Sequence, residues 1–327
     1  MSIPKRTAFI VIATLLLLGI HYRFGYPLRN AIDHSLCVNA FLATASFNSH
    51  EVFFPTERKL SRAPASNCRA ALVIDNRSHE VLYSKRADEV RSIASLTKLM
   101  TAMVLIDMDF DWAKVVKIGF DDARNSARSR LKVGEKFYAS DLFYIMLINS
   151  DNRAARALAR STGLSREDFA ARMNAKAKSL GMFKSVFVEP SGLDERNVST
   201  ASDCAKMLNA ALQETLISAA VRTYKYSYRS INHKRRRDIV NTNRLLTSGW
   251  QVRGGKTGYI RASGYCFSTR LCDEKGHDLT IVVLGSPWKG TRFTVARRLA
   301  NWAFKNLEKY DAEECHVAGR ELTAGVD

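Results

Sequence analysis

Between Ile93 and Leu105 the chain reads IASLTKLMTAMVL, and only Ser95, Thr97, Lys98 and Thr101 in that run are polar. A helix that is apolar on nearly all sides has to be enclosed by the rest of the fold. The run therefore predicts a buried helix over 95–106, with other elements packed around it. It also raises a difficulty, because lysine is almost never fully buried without a partner. Ser95 and Lys98 are three apart and share one helix face. Either Lys98 pairs with a distant carboxylate, or its burial serves chemistry.

The segments on either side indicate what encloses the helix. AALVIDNRSHEVLYSK (70–85) predicts a β-hairpin. SDLFYIMLI (140–148) predicts a helix opening on a Ser-Asp cap, and NRAARALARSTG a second ending at Gly163. SREDFAARMNAKAKSLG predicts a third, from a box-like Ser165…Asp168 start to Gly181, and SDCAKMLNAALQ (202–213) a fourth capped by Ser202. After about 222 the pattern turns to strands: YKYSYRSI, a charged turn NHKRRRD, then IVNTNRLL, GGKTGYI, GYCFSTRL and DLTIVVLGS. RFTVARRLANWAFKNL (292–307) closes the series as an amphipathic helix, with an acidic tail over 311–327. Strands, helices, strands and a terminal helix imply an α+β fold. Its antiparallel sheet is shared by both ends of the domain, flanked by N- and C-terminal helices, and a helical subdomain (about 108–221) is inserted between. The main domain spans 68–310 and a tether 27–67.

The N-terminus addresses the chain. MSIPKR is basic, and TAFIVIATLLLLGI (7–20) follows without a charge over 14 residues, the layout of an export signal or anchor within 1–26. A membrane span needs roughly 20 apolar residues, which Tyr22, Phe24 and Tyr26 could extend as an interfacial belt. No small-x-small cleavage site follows directly, and Ala43-Thr44-Ala45 lies far downstream, so an uncleaved anchor is preferred to a cleaved signal. Either way the rest is exported, which in a two-membrane envelope means periplasmic. The net charge of +18 suits an anionic partner. Export argues against nucleic acid, and the run HKRRRD (233–238) reads as a solvated turn. Six cysteines are too sparse for a disulfide scaffold and show no paired metal-ligand spacing. Cys266 and Cys272 on one strand would lie about 20 Å apart, too far to bridge. No metal or cofactor is expected.

Burial disfavours the charged form of lysine and turns Lys98 into a proton acceptor beside a serine nucleophile. Ser-x-x-Lys alone is a weak signal: it occurs four times, at Ser2, Ser95, Ser129 and Ser286, and only the Ser95 copy opens an apolar helix. Two further strings sharpen it. Ser150-Asp151-Asn152 falls at a break between helices, and Lys256-Thr257-Gly258 lies on a predicted strand after two glycines. Ser150 could relay a proton to a leaving nitrogen, and Asn152 could hold a substrate amide and orient Lys98. Lys256 and Thr257 offer a cation and a hydroxyl to a substrate carboxylate. The backbone N–H groups of Ser95 and Tyr259 would form an oxyanion hole. Gly258 lets a substrate strand lie close.

These three motifs in this order are the signature of serine β-lactamases and penicillin-binding proteins. Together with SIASLTKLMTAMVLID, MNAKAKSLGMFKSVFVEPSGL and GGKTGYIRASGYC, they make the chain resemble the low-molecular-mass penicillin-binding proteins over 68–307. These are D-alanyl-D-alanine peptidases, and the endopeptidase subgroup is the most similar in appearance. The resemblance implies the β-lactamase/transpeptidase-like fold, peptidoglycan peptide stems as substrates and β-lactams as covalent inhibitors. Carried across, Ser95 is the acylated nucleophile and Lys98 its base. Ser150 and Asn152 belong to the second motif, and Lys256, Thr257 and Gly258 form the third. Asp151 departs from many relatives at a position that usually faces away from substrate. A carboxypeptidase is the alternative activity. A serine β-lactamase would add Glu-x-x-Leu-Asn after Ser150, and EPSGLDERN has a glutamate at the wrong spacing. A basic wall-binding protein without activity would need a broken triplet.

Overall fold

Ala70–Asp75 (β1) is apolar at every position but its last, and strands this apolar belong at the middle of a sheet covered on both faces. The computed structural model describes residues 60–126, 129–233 and 236–323, with side chains as far as 312. β1 turns back as Val81–Lys85 (β2), the hairpin expected over 70–85. A short strand β3 (Arg91–Ser92) and a 3-10 turn (Ala94–Leu96) then lead into α1 (Thr97–Asp107). The middle of the chain contains β4 (Val115–Lys117), α2 (Phe120–Ala123), β5 (Lys136–Tyr138), α3 (Ala139–Ile148), α4 (Asn152–Ser161) and α5 (Arg166–Ser179). It continues through β6 (Val198–Ser199), α6 (Ala201–Gln213) and α7 (Thr215–Arg222). The hairpin β7 (Lys225–Arg229) and β8 (Arg236–Val240) follows, then a 3-10 turn (Arg244–Thr247). The last strands are β9 (Gln251–Ile260), β10 (Gly264–Cys272) and β11 (Asp278–Ser286), and α8 (Thr291–Thr323) closes the fold.

The main sheet has the order β2-β1-β11-β10-β9, antiparallel throughout, so strands from both ends of the chain share it as expected. Side-chain alternation divides the core between its faces. Leu72, Val282, Leu284 and Cys266 face the inserted helices, and α1 lies among them with every residue from Thr97 to Leu105 buried. Val73, Phe267, Ile281 and Val283 face α8 through Phe293, Leu299, Ala303 and Phe304. β9 is an edge strand, so one side of the Lys256–Tyr259 segment has no strand partner.

Several boundaries differ from expectation for local reasons. α3 begins at Ala139 without the Ser-Asp cap, because its first N–H groups find tertiary carbonyls instead: Ala139 N donates to Lys114 O and Ser140 N to Trp112 O. α6 is capped by Thr200, whose Oγ1 accepts from Asp203 N at 3.0 Å, and not by Ser202. The strand expected through IVNTNRLL stops at Val240, where Asn241 and Asn243 turn their side-chain oxygens onto Asn243 N and Leu245 N. The closing helix runs on to Thr323, through most of the segment expected as a tail. Residues 60–67 at the end of the expected tether carry no regular structure, and Ser61 is held on α8 by Asn306 Oδ1 and Trp302 Nε1. The signal or anchor segment and the rest of the tether lie outside the described residues. No helix among the described residues is long and apolar enough to cross a membrane. Cys68, Cys204, Cys266 and Cys272 are free thiols.

α8 is fastened to the β10–β11 turn by a buried histidine. His277 lies 2.6 Å from Asp273 through Nδ1 and 2.9 Å from Asp311 of α8 through Nε2. Burial opposes its charge, but hydrogen bonds to the two carboxylates, and their charges, outweigh burial and raise its pKa. A raised pKa means that the clamp contributes fully below the unfolded value of about 6.5 and is lost as pH rises through the folded value. Denaturant titrations should therefore give a stability difference between the wild type and His277→Gln that is largest at about pH 6 and shrinks as pH rises. Taking the difference cancels other titrating groups. A difference independent of pH would mean that the histidine is neutral in its pocket.

Candidate active site

Ser95 sits in the 3-10 turn before α1, where glycines on two other segments let their backbones come close. Gly192, at φ +77°, lies so close that a Cβ there would stand 2.1 Å from Ala94 O. From the other side a Cβ on Gly258 would meet Ile93 O at 2.8 Å and Ser95 N at 3.0 Å. The serine turn is thus clamped between the 189–194 loop and the edge strand β9. Ala94 (φ 48°) and Ser150 (φ 61°) both occupy the left-handed region, which costs a non-glycine residue about 1–3 kcal/mol unless its surroundings impose it.

Lys98 is fully buried at the second residue of α1, one turn after Ser95. Its Nζ lies 2.8 Å from Ser95 Oγ, 2.6 Å from Asn152 Oδ1 and 2.5 Å from Ser191 O. Two of these partners are carbonyl oxygens that only accept. A neutral amine spends its two N–H groups on them and turns its lone pair to the hydroxyl of Ser95. The pKa supports that reading: burial brings Lys98 down to about 7, against the charges of Glu189 and Asp151, while Arg156 adds to the lowering. Asp151 itself caps α4, accepting from Arg153 N and Ala154 N, which puts Asn152 at the helix start beside Lys98.

The third motif meets the second. Lys256, 1% exposed, donates from Nζ to Ser150 Oγ at 2.7 Å and to Thr257 O at 3.1 Å. Its pKa is pushed far below the usual lysine value by burial, then by the charges of Lys98 and Arg292. Thr257 Oγ1 donates to Thr242 Oγ1 at 2.7 Å, and Tyr259, 43% exposed, stacks on Tyr265 at 4.1 Å. All eight residues singled out in the sequence are therefore gathered in one place: Ser95, Lys98 and Asn152 in one hydrogen-bonded group, Ser150 and Lys256 in another, with Thr257, Gly258 and Tyr259 along β9. No group of three or more His, Cys, Asp or Glu side chains suited to a metal ion occurs among the described residues.

Comparison with known proteins places the chain in a family. The pattern of the peptidase S11 family, described as D-alanyl-D-alanine carboxypeptidase, matches residues 57–287. The chain belongs to this family. The D-alanyl-D-alanine endopeptidase of Escherichia coli is 36% identical over 236 residues, covering 71% of this chain and 76% of that protein. The D-alanyl-D-alanine carboxypeptidase DacF of Bacillus subtilis is 31% identical over 268 residues, covering 79% of this chain and 67% of the relative. Among solved structures, the Streptomyces K15 DD-transpeptidase superposes with a TM-score of 0.70 at 27% identity, covering 75% of this chain and 100% of that one. This S11 peptidase is thus a serine-type enzyme with the DD-transpeptidase, β-lactamase-like fold.

Four supporting groups of this S11 peptidase, Thr242, Arg292, Glu189 and the main-chain oxygen of Ser191, escape sequence reasoning. Thr242 follows a strand end with no motif. Arg292 looks like one more basic residue of an amphipathic helix, yet it is 5% exposed and donates to Gly258 O at 2.8 Å and Cys266 O at 3.2 Å, tying β9 to β10. Glu189 is visible only as the glutamate of EPSGL. It is 2% exposed and accepts from the N–H groups of Ser191, Gly192 and Leu193, from Ser191 Oγ and from Asn197 Nδ2. It therefore shapes the loop that offers Ser191 O to Lys98. Glu189→Ala would strip these donors of their acceptor, each worth about 1–3 kcal/mol if left unmet. With water replacing some of them, a loss of about 2–4 kcal/mol is expected in a urea titration, and wild-type stability would show that the loop holds itself.

Proposed function

We propose that the chain is a peptidoglycan DD-peptidase working through an acyl-serine intermediate and cutting chiefly the crosslink between D-alanine and a diamino-acid side chain. The observation that carries the catalytic part is the buried Lys98 Nζ, 2.8 Å from Ser95 Oγ and with a pKa brought to about 7. Neutral Lys98 takes the hydroxyl proton as Ser95 Oγ attacks the D-alanyl carbonyl. The N–H groups of Ser95 and Tyr259 hold the developing oxyanion. As the intermediate collapses, the C–N bond breaks and the proton that Lys98 took passes through Ser150, which Lys256 orients, to the leaving amine, so that Lys98 is neutral again. Lys256 and Thr257 receive a carboxylate of the substrate, whose charge favours protonated Lys256. Water then hydrolyses the ester and returns Ser95.

Glu189 is committed to its loop, so it is not free to activate a deacylating water in the manner of the common serine β-lactamases. β-Lactams are therefore read as slowly released inhibitors. The endopeptidase preference rests on the name carried by the E. coli relative and on a basic surface suited to a substrate rich in carboxylates, with the carboxypeptidase as the alternative. The N-terminal segment supports export to the periplasm, with residues 7–20 as anchor or signal.

Fluorescent penicillin tests the chemistry. Ser95→Ala should lose labelling entirely, and Lys98→Arg should slow it about 10²–10⁴-fold, since a guanidinium keeps its proton. In the wild type the acylation rate should climb as pH rises through about 7, where Lys98 becomes a base, and a flat profile there would remove it from that role. Purified muropeptides test the bond: crosslinked dimers should be converted to monomers several-fold faster than free pentapeptides are trimmed. Trimmed pentapeptides beside untouched dimers would make the enzyme a carboxypeptidase.

A further inference from the structure

Beyond Tyr259, at the end of β9 away from Lys256, the structure contains a cavity of about 510 Å³. Arg69, Arg91 and Arg261 line it together with Tyr259 and Ser286, and no carboxylate does. Arg91 is held by Glu89 at 2.5 Å, whereas Arg69 and Arg261 are exposed and make no ion pair with a described residue. The polar groups inside are under-used. Ser286 is fully buried and its hydroxyl has no hydrogen-bond partner among the described residues, and the same holds for Arg91 Nε. A buried hydroxyl without a partner is uncommon and needs an explanation. Here it borders a basic hollow that shares Tyr259 with the active site.

On the acyl-serine reading above, the direction in which a substrate lies is set by the two proton-handling groups. The leaving nitrogen takes its proton through Ser150, which is bonded to Lys256, so the leaving arm lies at the Lys256 end of β9. The acyl arm must run the other way along the edge strand, past Tyr259. Arg261 opens the turn that follows the last residue of β9, two residues beyond Tyr259. We propose that this cavity is a subsite for the acyl arm, and that Arg69 and Arg261 bind a free carboxylate on that arm one or two residues before the scissile D-alanyl carbonyl. The ligand is an anionic peptide stem recognised on its donor side, and the subsite discriminates free acid from amidated stems.

The test uses two synthetic peptides ending in D-alanyl-D-alanine. Each carries an upstream glutamyl residue linked through its γ-carboxyl, with the α-carboxyl free in one and a carboxamide in the other. The wild type should cleave the free acid with a kcat/KM about tenfold higher, an advantage that falls with added salt. The double variant Arg69→Gln/Arg261→Gln should reduce that preference to about twofold or less while leaving kcat/KM for the amide within about twofold of wild type. Benzylpenicillin is the control, because its only carboxylate lies on the leaving-group side, so its acylation rate should not change in the variant. Equal cleavage of the two peptides by the wild type, or equal loss on both in the variant, would overturn the subsite. A wild type that penicillin does not acylate would instead overturn the acyl-serine reading on which the subsite rests.

Discussion

Two lysines of the site, Lys98 and Lys256, are fully buried, and burial disfavours the charge of both, with the charge of Lys98 adding to the effect on Lys256. Much of the surrounding structure follows from that constraint. Lys98 is supplied with two carbonyl acceptors, from Asn152 and Ser191, and Lys256 with the hydroxyl of Ser150 and its neighbour's carbonyl. Each acceptor comes from a different element: a helix start, a loop, a break between helices and an edge strand. The inserted helices and the sheet have to meet at this point for any of the four to be in place.

How legible this was depended on whether a residue acts through its own side chain. Ser95 and Lys98 stand out because a cation in an apolar helix conflicts with its surroundings, and such conflicts are visible without a structure. The second and third motifs are short, but their order along the chain matched a fold in which distant segments converge. Glu189, Ser191 and Arg292 were not legible for the opposite reason. Ser191 contributes a main-chain oxygen, which any residue possesses. Glu189 and Arg292 bind main-chain groups, so nothing in their side-chain pattern marks them. Among the secondary elements, the α+β order and the shared sheet were readable from alternation and apolar runs. The cap of α6 and the end of β8 were not, because the choice between Thr200 and Ser202, or between strand and asparagine turn, is decided by tertiary contacts.

The electrostatics of the site are arranged in layers. Glu189 lies one layer behind the lysines, where it opposes the burial effect on Lys98 while Arg156, 3.9 Å from its carboxylate, pulls the other way. The resulting base is neither a permanent cation nor a permanent amine at neutral pH. That intermediate basicity suits a group that must take a proton from a serine and give it up within one cycle.

The clamp around Ser95 has a consequence for how the enzyme can vary. Its two faces, at Gly192 and Gly258, are almost wholly main chain against main chain, the Ala94 methyl being the one side chain among the nearest contacts. Small steps in the position of the nucleophile are therefore closed to point substitution at those contacts, and any added carbon displaces the turn as a whole. Divergence within such a scaffold is channelled outward, to the rims of the cleft, so that relatives can part company over what they admit long before they differ in how they react.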